Sequence, residues 1–418
     1  MTLLIEGVML NGKKASIQIE GSTFSEINPK NPDRSDQIID GRGEAAIPSL
    51  INNHTHAAMS LLRGYADDFP LHEWLTEYIW PREKKLKAKD VYWGARLACL
   101  EMLKTGTTCF NDMYFFSQET AKAARDSGLR AVVSEVLFDP LNPGKEERSF
   151  AALKKSIKEI KKMGNLVKAA IGPHAVYTLS EESLAKEAEF SRKEKLLVHF
   201  HLSETEKEVK ECIERHGKRP VEFLDGIGFF SSRVLNAHCV WLDAKEIEIL
   251  ARRGARAVHC PVSNQKLAVG RTMPLLELQK SGVLVSLGTD GCASNNSLDL
   301  LEEMKFASLA QKFSRSDPTA LNAEQAFSLC TKNAAQSIGL NAGAIEKGKL
   351  ADLCLVDLKN AKLVPGHSLV SDLVYSATGD CIDAVICNGR VVMESRKVEG
   401  EEEVVEQAKK QAFDLVQR

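Results

Sequence analysis

At 418 residues the chain has the length of one large domain, or of a large domain with a smaller companion. Fifty-five Lys+Arg against 57 Asp+Glu leave a formal charge of -2, so no basic field points to nucleic acid and no acidic tail to a solvating arm. No apolar run reaches membrane-spanning length and no signal peptide is evident, so no membrane association is expected. The ten cysteines are scattered without a CxxC pair, several of them in apolar strand-like runs. They read as buried thiols in a reducing cytoplasm, with Cys239 and Cys260 structural despite their histidine neighbours.

In chain order, the first ~45 residues read as short strands over 2–9, 14–19 and 24–28, separated by the hairpin signals Asn11-Gly12 and Glu20-Gly21. The pattern then becomes strand–helix alternation. Apolar strand candidates fall near 46–50, 107–111, 130–136, 167–172, 196–201, 234–237, 255–259 and 283–288. Helical stretches lie between most of them, at 88–104, 150–163, 180–193, 206–216 and 243–253. Glycine often marks the step from helix to next strand, as at Gly106, Gly128, Gly164, Gly254 and Gly282. The last ~70 residues return to strands at 351–357, 382–387 and 390–393, with an amphipathic helix over 402–418.

Eight strands with intervening helices predict a (β/α)8 barrel. The alternative is an open doubly wound sheet, but no glycine-rich phosphate loop follows the first strand. Neither chain end has apolar surface for a core of its own, so the two are expected to pair into one small composite β-sandwich. The expected division is 1–48 and 348–418 for the sandwich and 49–347 for the barrel.

Polar residues recur at the C-terminal ends of the barrel strands, where catalytic groups collect in this architecture. Strand 1 ends in His54-Thr55-His56, whose two imidazoles share one face. Strand 4 ends in His174, strand 5 in His199-Phe200-His201-Leu202-Ser203-Glu204, strand 6 in His238, strand 7 in His259 and strand 8 in Asp290. Seven of the ten histidines thus stand at strand ends, and chance would not place them so. Taken singly, each is better read as a packed core histidine; the set is better read as one site.

Three imidazoles and a carboxylate suit one divalent ion, zinc or ferrous iron, and such an ion lowers the pKa of a water towards about 7. His54, His56, one histidine of strand 5 and Asp290 form the natural ligand set. Alternation does not choose between His199 and His201, which share a face; His201, nearer the mouth, is preferred. Hydrolytic removal of an aromatic amine also needs a group to take a proton from water and another to protonate the ring nitrogen. His238 suits the first role, with Asp290 sharing a proton between water and amine, and Glu204 suits the second.

The segment Ile47-Pro48-Ser49-Leu50-Ile51-Asn52-Asn53-His54-Thr55-His56, with Trp80-Pro81-Arg82-Glu83, Gly172-Pro173-His174, His201-Leu202-Ser203-Glu204, Ala237-His238-Cys239 and Thr289-Asp290-Gly291-Cys292-Ala293-Ser294, resembles the amidohydrolase superfamily. Within it the match is to the 5′-methylthioadenosine/S-adenosylhomocysteine deaminases, a group that includes archaeal 5′-deoxyadenosine deaminases. The resemblance spans essentially the whole chain. It implies metal ligands His54, His56, His201 and Asp290, and proton transfer by Glu204 and His238. It further implies that Glu83 holds the ribose hydroxyls and that His174 contacts the nucleoside. Trp74 would wall the pocket, Ser294 would touch substrate, and Arg148 would meet a homocysteine carboxylate.

Some superfamily members bridge two metals with a carboxylated lysine at the end of strand 4. Here that end carries His174 while Lys168 lies at the strand's beginning, so one ion per subunit is expected. The expected reaction deaminates the adenine of 5′-modified adenosines to the inosine analogue, in a homo-oligomer (dimer or tetramer) whose partner is the small nucleoside. The alternatives are an aminohydrolase of another heterocycle, of guanine or triazine type, and a non-catalytic scaffold on the same fold.

Overall fold

The computed structural model describes residues 2–30, 35–138 and 146–418, apart from the side chains of 146–149. Two sheets of eight strands each organise it. The first joins both chain ends: β1 (Thr2–Leu10), β2 (Lys13–Glu20), β3 (Thr23–Ile27), β4 (Gln37–Asp40) and β5 (Glu44–Pro48) with three strands from the other end of the chain.

The barrel follows as β6 (Leu50–Thr55), β7 (Thr107–Tyr114), β8 (Arg130–Leu137), β9 (Val167–Pro173), β10 (Val198–Leu202), β11 (Val234–His238), β12 (Arg256–His259) and β13 (Val285–Leu287). These strands lie side by side in sequence order, all parallel. Buried between inner packing and the outer helices, β6, β7, β10 and β11 have no exposed residue, hence their near-continuous apolar runs. Then β14 (Leu353–Asp357), β15 (Ile382–Cys387) and β16 (Arg390–Met393) complete the end sheet in the order β16-β15-β14-β5-β1-β2-β3, with β4 on β1. The chain closes in a helix, Glu401–Gln417. Among the described residues no helix is long and apolar enough to cross a membrane.

The expected strand at 46–50 is two strands. β5 runs antiparallel to β14 in the end sheet, and β6 opens the barrel. Between them Ser49 donates its N–H to the Asp352 carbonyl and bonds Thr108 through its hydroxyl at 2.6 Å. The apolar run is unbroken across this hand-over, so periodicity alone does not mark it.

A buried ion pair fastens the two sheets. Arg130, opening β8, meets Asp352 at 2.7 Å and Asn388 at 2.8 Å. The barrel itself closes between β6 and the very short β13. Thr55 bridges Asp290 in parallel register, and the Asp290 N–H donates to the His54 carbonyl at 2.9 Å. Side chains extend the seam: Asn52 donates to Thr289 Oγ1 (2.7 Å) and Asn53 to Ser286 Oγ (2.9 Å). The approach is close enough that a Cβ at Gly288 would lie 2.6 Å from His54 Cβ and from its backbone nitrogen, so only glycine fits. Gly288→Ala is therefore expected to lower unfolding free energy by about 3 kcal/mol in urea titration, through overpacking at the seam.

Candidate active site

Each site side chain leaves the C-terminal end of a barrel strand or the loop beyond it. His54 is the fifth residue of β6, and His56 follows the strand. Across the seam Asp290 aims one oxygen at both: Oδ1 lies 3.3 Å from His54 Nε2 and 3.2 Å from His56 Nε2. His201, on β10, brings its Nε2 to 3.3 Å from His56 Nε2. Donors around one ion at bond lengths of about 2.1 Å stand about 3 to 3.4 Å apart, so this spacing is that of a ligand shell. Among the described residues two triads of ligand atoms fall within 4.8 Å, His54–His56–Asp290 and His54–His201–His238.

The other ring nitrogens are already engaged, which turns each Nε2 inward. His56 Nδ1 donates to the Met113 carbonyl at 2.6 Å, and His201 Nδ1 to the His174 carbonyl at 2.8 Å. His54 Nδ1 lies 2.6 Å from His199 Nε2. A His54 with a bare Nε2 must carry its proton on Nδ1, so His199 accepts it. His54 Nε2 is buried without a hydrogen-bond partner, an orphan that a cation would satisfy. The second oxygen of Asp290 is held by Ser263 (2.7 Å) and by Ser294 (3.2 Å), so Ser294 acts on the aspartate as well as lining the pocket.

Backbone strain concentrates here. Ser203, His238, Cys239 and Asp290 all have left-handed φ, at 49°, 69°, 49° and 65°. For side-chain-bearing residues this costs on the order of 1 kcal/mol each, and it turns the chain sharply as strands 5, 6 and 8 end. Glu208 steadies the first of these turns, accepting the N–H groups of Ser203 and Glu204 at 2.8 Å each.

A sequence model of the amidohydrolase family matches residues 45–392. The chain belongs to the amidohydrolase family. This amidohydrolase is 49% identical to a 5-methylthioadenosine/S-adenosylhomocysteine deaminase of Archaeoglobus fulgidus, over 96% of this chain and 95% of that one. It is also 49% identical to a 5′-deoxyadenosine deaminase of Methanoregula boonei, covering 94% and 89%. Among solved structures, an adenosine deaminase from Xanthomonas campestris with bound zinc superposes with a TM-score of 0.94 at 32% identity, over 100% of this chain and 99% of that one.

Above the histidines this amidohydrolase carries a pocket of roughly 610 Å3, lined by His56, His174, His201, Glu204, His238, Asp290 and Ser294 on its polar side. Trp74, Phe115, Phe138, Tyr177 and Leu267 supply apolar walls. Trp74 sits in a π-helical stretch, Trp74–Ile79, and the next turn, Trp80–Glu83, delivers Glu83 to the same pocket. His174 stacks on Phe138 with ring centroids 4.5 Å apart. The side-chain amide of Asn264 lies 3.0 Å from His238 Nδ1, and the same nitrogen lies 3.8 Å from Glu204. His259, although at a strand end, does not line the pocket, and both its nitrogens are buried without partners. Arg148 lies on the helix Glu146–Ile160, but its side chain is outside the described residues.

Several contributors had no sequence signal. The Met113 and His174 carbonyls are backbone groups, and Ser263 and Asn264 come from a short helix, Pro261–Lys266, without a recognisable motif.

Electrostatics suit a cation. Burial drives the pKa of His54 down to about 4 and depresses His201 and His238 too, leaving neutral imidazoles, the ligating form. Burial also opposes protonation of His56, yet Asp290 and the Met113 carbonyl outweigh it and raise His56 to about 9. Asp290 in turn is held well below the carboxylate range: its burial is overcome by His54 and His56. Burial, then the charge of Asp290, pushes Glu204 up to about 8, and burial pushes Glu83 up to about 7.

Because His199 lies against His54 Nδ1, His199→Ala is expected to weaken divalent-metal affinity about 10–100-fold in chelator competition, while His199→Gln, which keeps an acceptor, loses less. Unchanged affinity in the alanine variant would remove this role from His199.

Proposed function

We propose that the chain is a metal-dependent aminohydrolase acting on the adenine amine of 5′-modified adenosines. Its substrates would be 5′-deoxyadenosine, 5′-methylthioadenosine, S-adenosylhomocysteine and adenosine, its products the inosine analogue and ammonia. The observation that carries this reading is that one pocket is lined by His56, His201 and Asp290, with His54 3.3 Å from Asp290, together with two carboxyl groups of raised pKa and an apolar wall.

His54, His56, His201 and Asp290 would hold one divalent ion, zinc before ferrous iron by the donor set. Bound there, such an ion supplies Lewis acidity toward water at neutral pH. His238, kept neutral by burial, takes the proton of the attacking water. Asp290 passes a proton on to the departing amine. Glu204, protonated below about pH 8, gives its proton to the ring nitrogen beside the attacked carbon and recovers one as the adduct collapses. The water oxygen stays on the ring carbon as the 6-oxo group, and the C–N bond breaks to release the amine as ammonia. Glu83 accepts hydrogen bonds from the ribose hydroxyls, His174 contacts the nucleoside, and Trp74 walls the apolar side. The ten free, buried cysteines support a reducing, cytoplasmic setting.

Ammonia release from 5′-deoxyadenosine, 5′-methylthioadenosine, S-adenosylhomocysteine, adenosine, adenine and guanine tests the reading; turnover of guanine alone overturns it. Glu204→Gln is expected to lower kcat about 100- to 10,000-fold. Glu83→Gln is expected to raise KM for ribosides about 10–100-fold, the worth of charge-assisted hydrogen bonds. An ionised Glu83 is the better acceptor and its carboxyl titrates at about 7, so the riboside KM should fall as pH rises through neutrality. That dependence should be flat in the Glu83→Gln enzyme.

A further inference from the structure

At the opposite end of the barrel lies an open cleft. Five cations line it, Lys161, Lys168, Lys195, Arg233 and Arg256, and no carboxylate does among the described residues. Lys161 is paired with Glu194 at 3.6 Å. The other four have no carboxylate within 4.0 Å among the described residues.

Their placement follows the strands. Lys168 is the second residue of β9, Lys195 stands three residues before β10, Arg233 directly precedes β11, and Arg256 opens β12. The far ends of the same strands carry His174, His201, His238 and His259. At about 3.3 Å per residue, Lys168, Lys195 and Arg233 lie roughly 16 to 20 Å along their strands from His174, His201 and His238, and Arg256 about 10 Å from His259. Arg256 is half-buried, and its pKa is lowered by that burial and by the like charge of Arg233. A half-buried guanidinium beside a like charge is better accommodated when an anion joins the two, although Arg233 itself is exposed to solvent.

We propose that this cleft is a second binding site, for a small polyphosphate anion, the chemistry that inorganic pyrophosphate shares with the phosphate tail of a nucleotide. Four unpaired cations match the about three to four negative charges of pyrophosphate at neutral pH, and guanidinium forks suit its oxygens.

Helix capping is the competing role. Arg256 donates to the Ser337 carbonyl, ending the helix Lys332–Ser337, and Arg233 to the Lys195 carbonyl at 3.2 Å. Each bond uses one donor of a five-donor fork. The ammonium groups of Lys168 and Lys195 make no hydrogen bond among the described residues.

Calorimetric titration of the zinc-loaded enzyme with inorganic pyrophosphate, and separately with ADP, tests the site. Saturable, salt-sensitive binding is expected, at least about tenfold weaker in the double variant Lys168→Gln/Arg233→Gln, with kcat/KM for deamination unchanged. Tighter binding of ADP than of pyrophosphate assigns the natural ligand to nucleotides, and equal binding assigns it to the phosphates alone; both support the site. No saturable binding up to millimolar anion overturns the proposal, as does equal affinity in the double variant. Displacement by the inosine product, or loss of zinc during titration, also overturns it, because the anion would then sit on the metal. A variant that loses only thermal stability, beside a parent that binds nothing, leaves helix capping as the sole role.

Discussion

The closure of the barrel between β6 and β13 is the constraint on which the rest depends. His54 and His56 leave one side of that seam and Asp290 the other, so the cluster of two imidazoles and a carboxylate exists only when the seam is shut. With β13 only three residues long, backbone pairing cannot hold the edge alone. Asn52 and Asn53 add side-chain bonds to Thr289 and Ser286, and Gly288 lets the two backbones approach. Every polar atom in this seam is buried, so each bond left unmade costs about 1–3 kcal/mol. The left-handed backbone at Asp290 adds strain that the surrounding apolar core offsets.

Burial then divides the labour among groups of the same chemical type. Asp290 and Glu204 are both buried carboxyls facing the same pocket. Two imidazoles within 3.3 Å keep Asp290 ionised, whereas Glu204 is pushed toward its protonated form by burial and then by the negative Asp290. Environments that separate two such pKa values are how one fold presents a base and an acid at neutral pH. The two histidines beside Asp290 divide in the same way: burial outweighs the carboxylate at His54 and brings it down to about 4, whereas at His56 Asp290 and the Met113 carbonyl together outweigh burial and raise it to about 9.

The barrel strands also act as rulers between two unlike faces. Their C-terminal ends hold imidazoles and carboxylates, and the beginnings of β9 to β12 hold cations. The end sheet is tied on from the side by the Arg130–Asp352 pair, whose charges are both almost fully buried. Such a pair adds little net stability against an apolar replacement but makes misdocking costly, since either charge alone would be stranded.

The sequence by itself determined the strand–helix alternation, the pairing of the two chain ends in one sheet, and the row of histidines at strand ends. Each rests on local signals: a two-residue period, glycine at helix ends, turn dipeptides. It did not separate β5 from β6, because an apolar run looks the same whichever sheet it enters. Nor did it distinguish His199 from His201 by alternation, since both share a face; only the packed barrel turns His201 toward His56 and sets His199 behind His54. Glu83 lies in the charged run Arg82-Glu83-Lys84-Lys85, and a single helical turn puts it in the pocket while Lys84 stays exposed. The carbonyls of Met113 and His174 and the hydroxyl of Ser263 carry no local signature at all. What touches what across the seam and around the mouth is a property of closure, and closure brings together residues more than two hundred positions apart that no short-range pattern links.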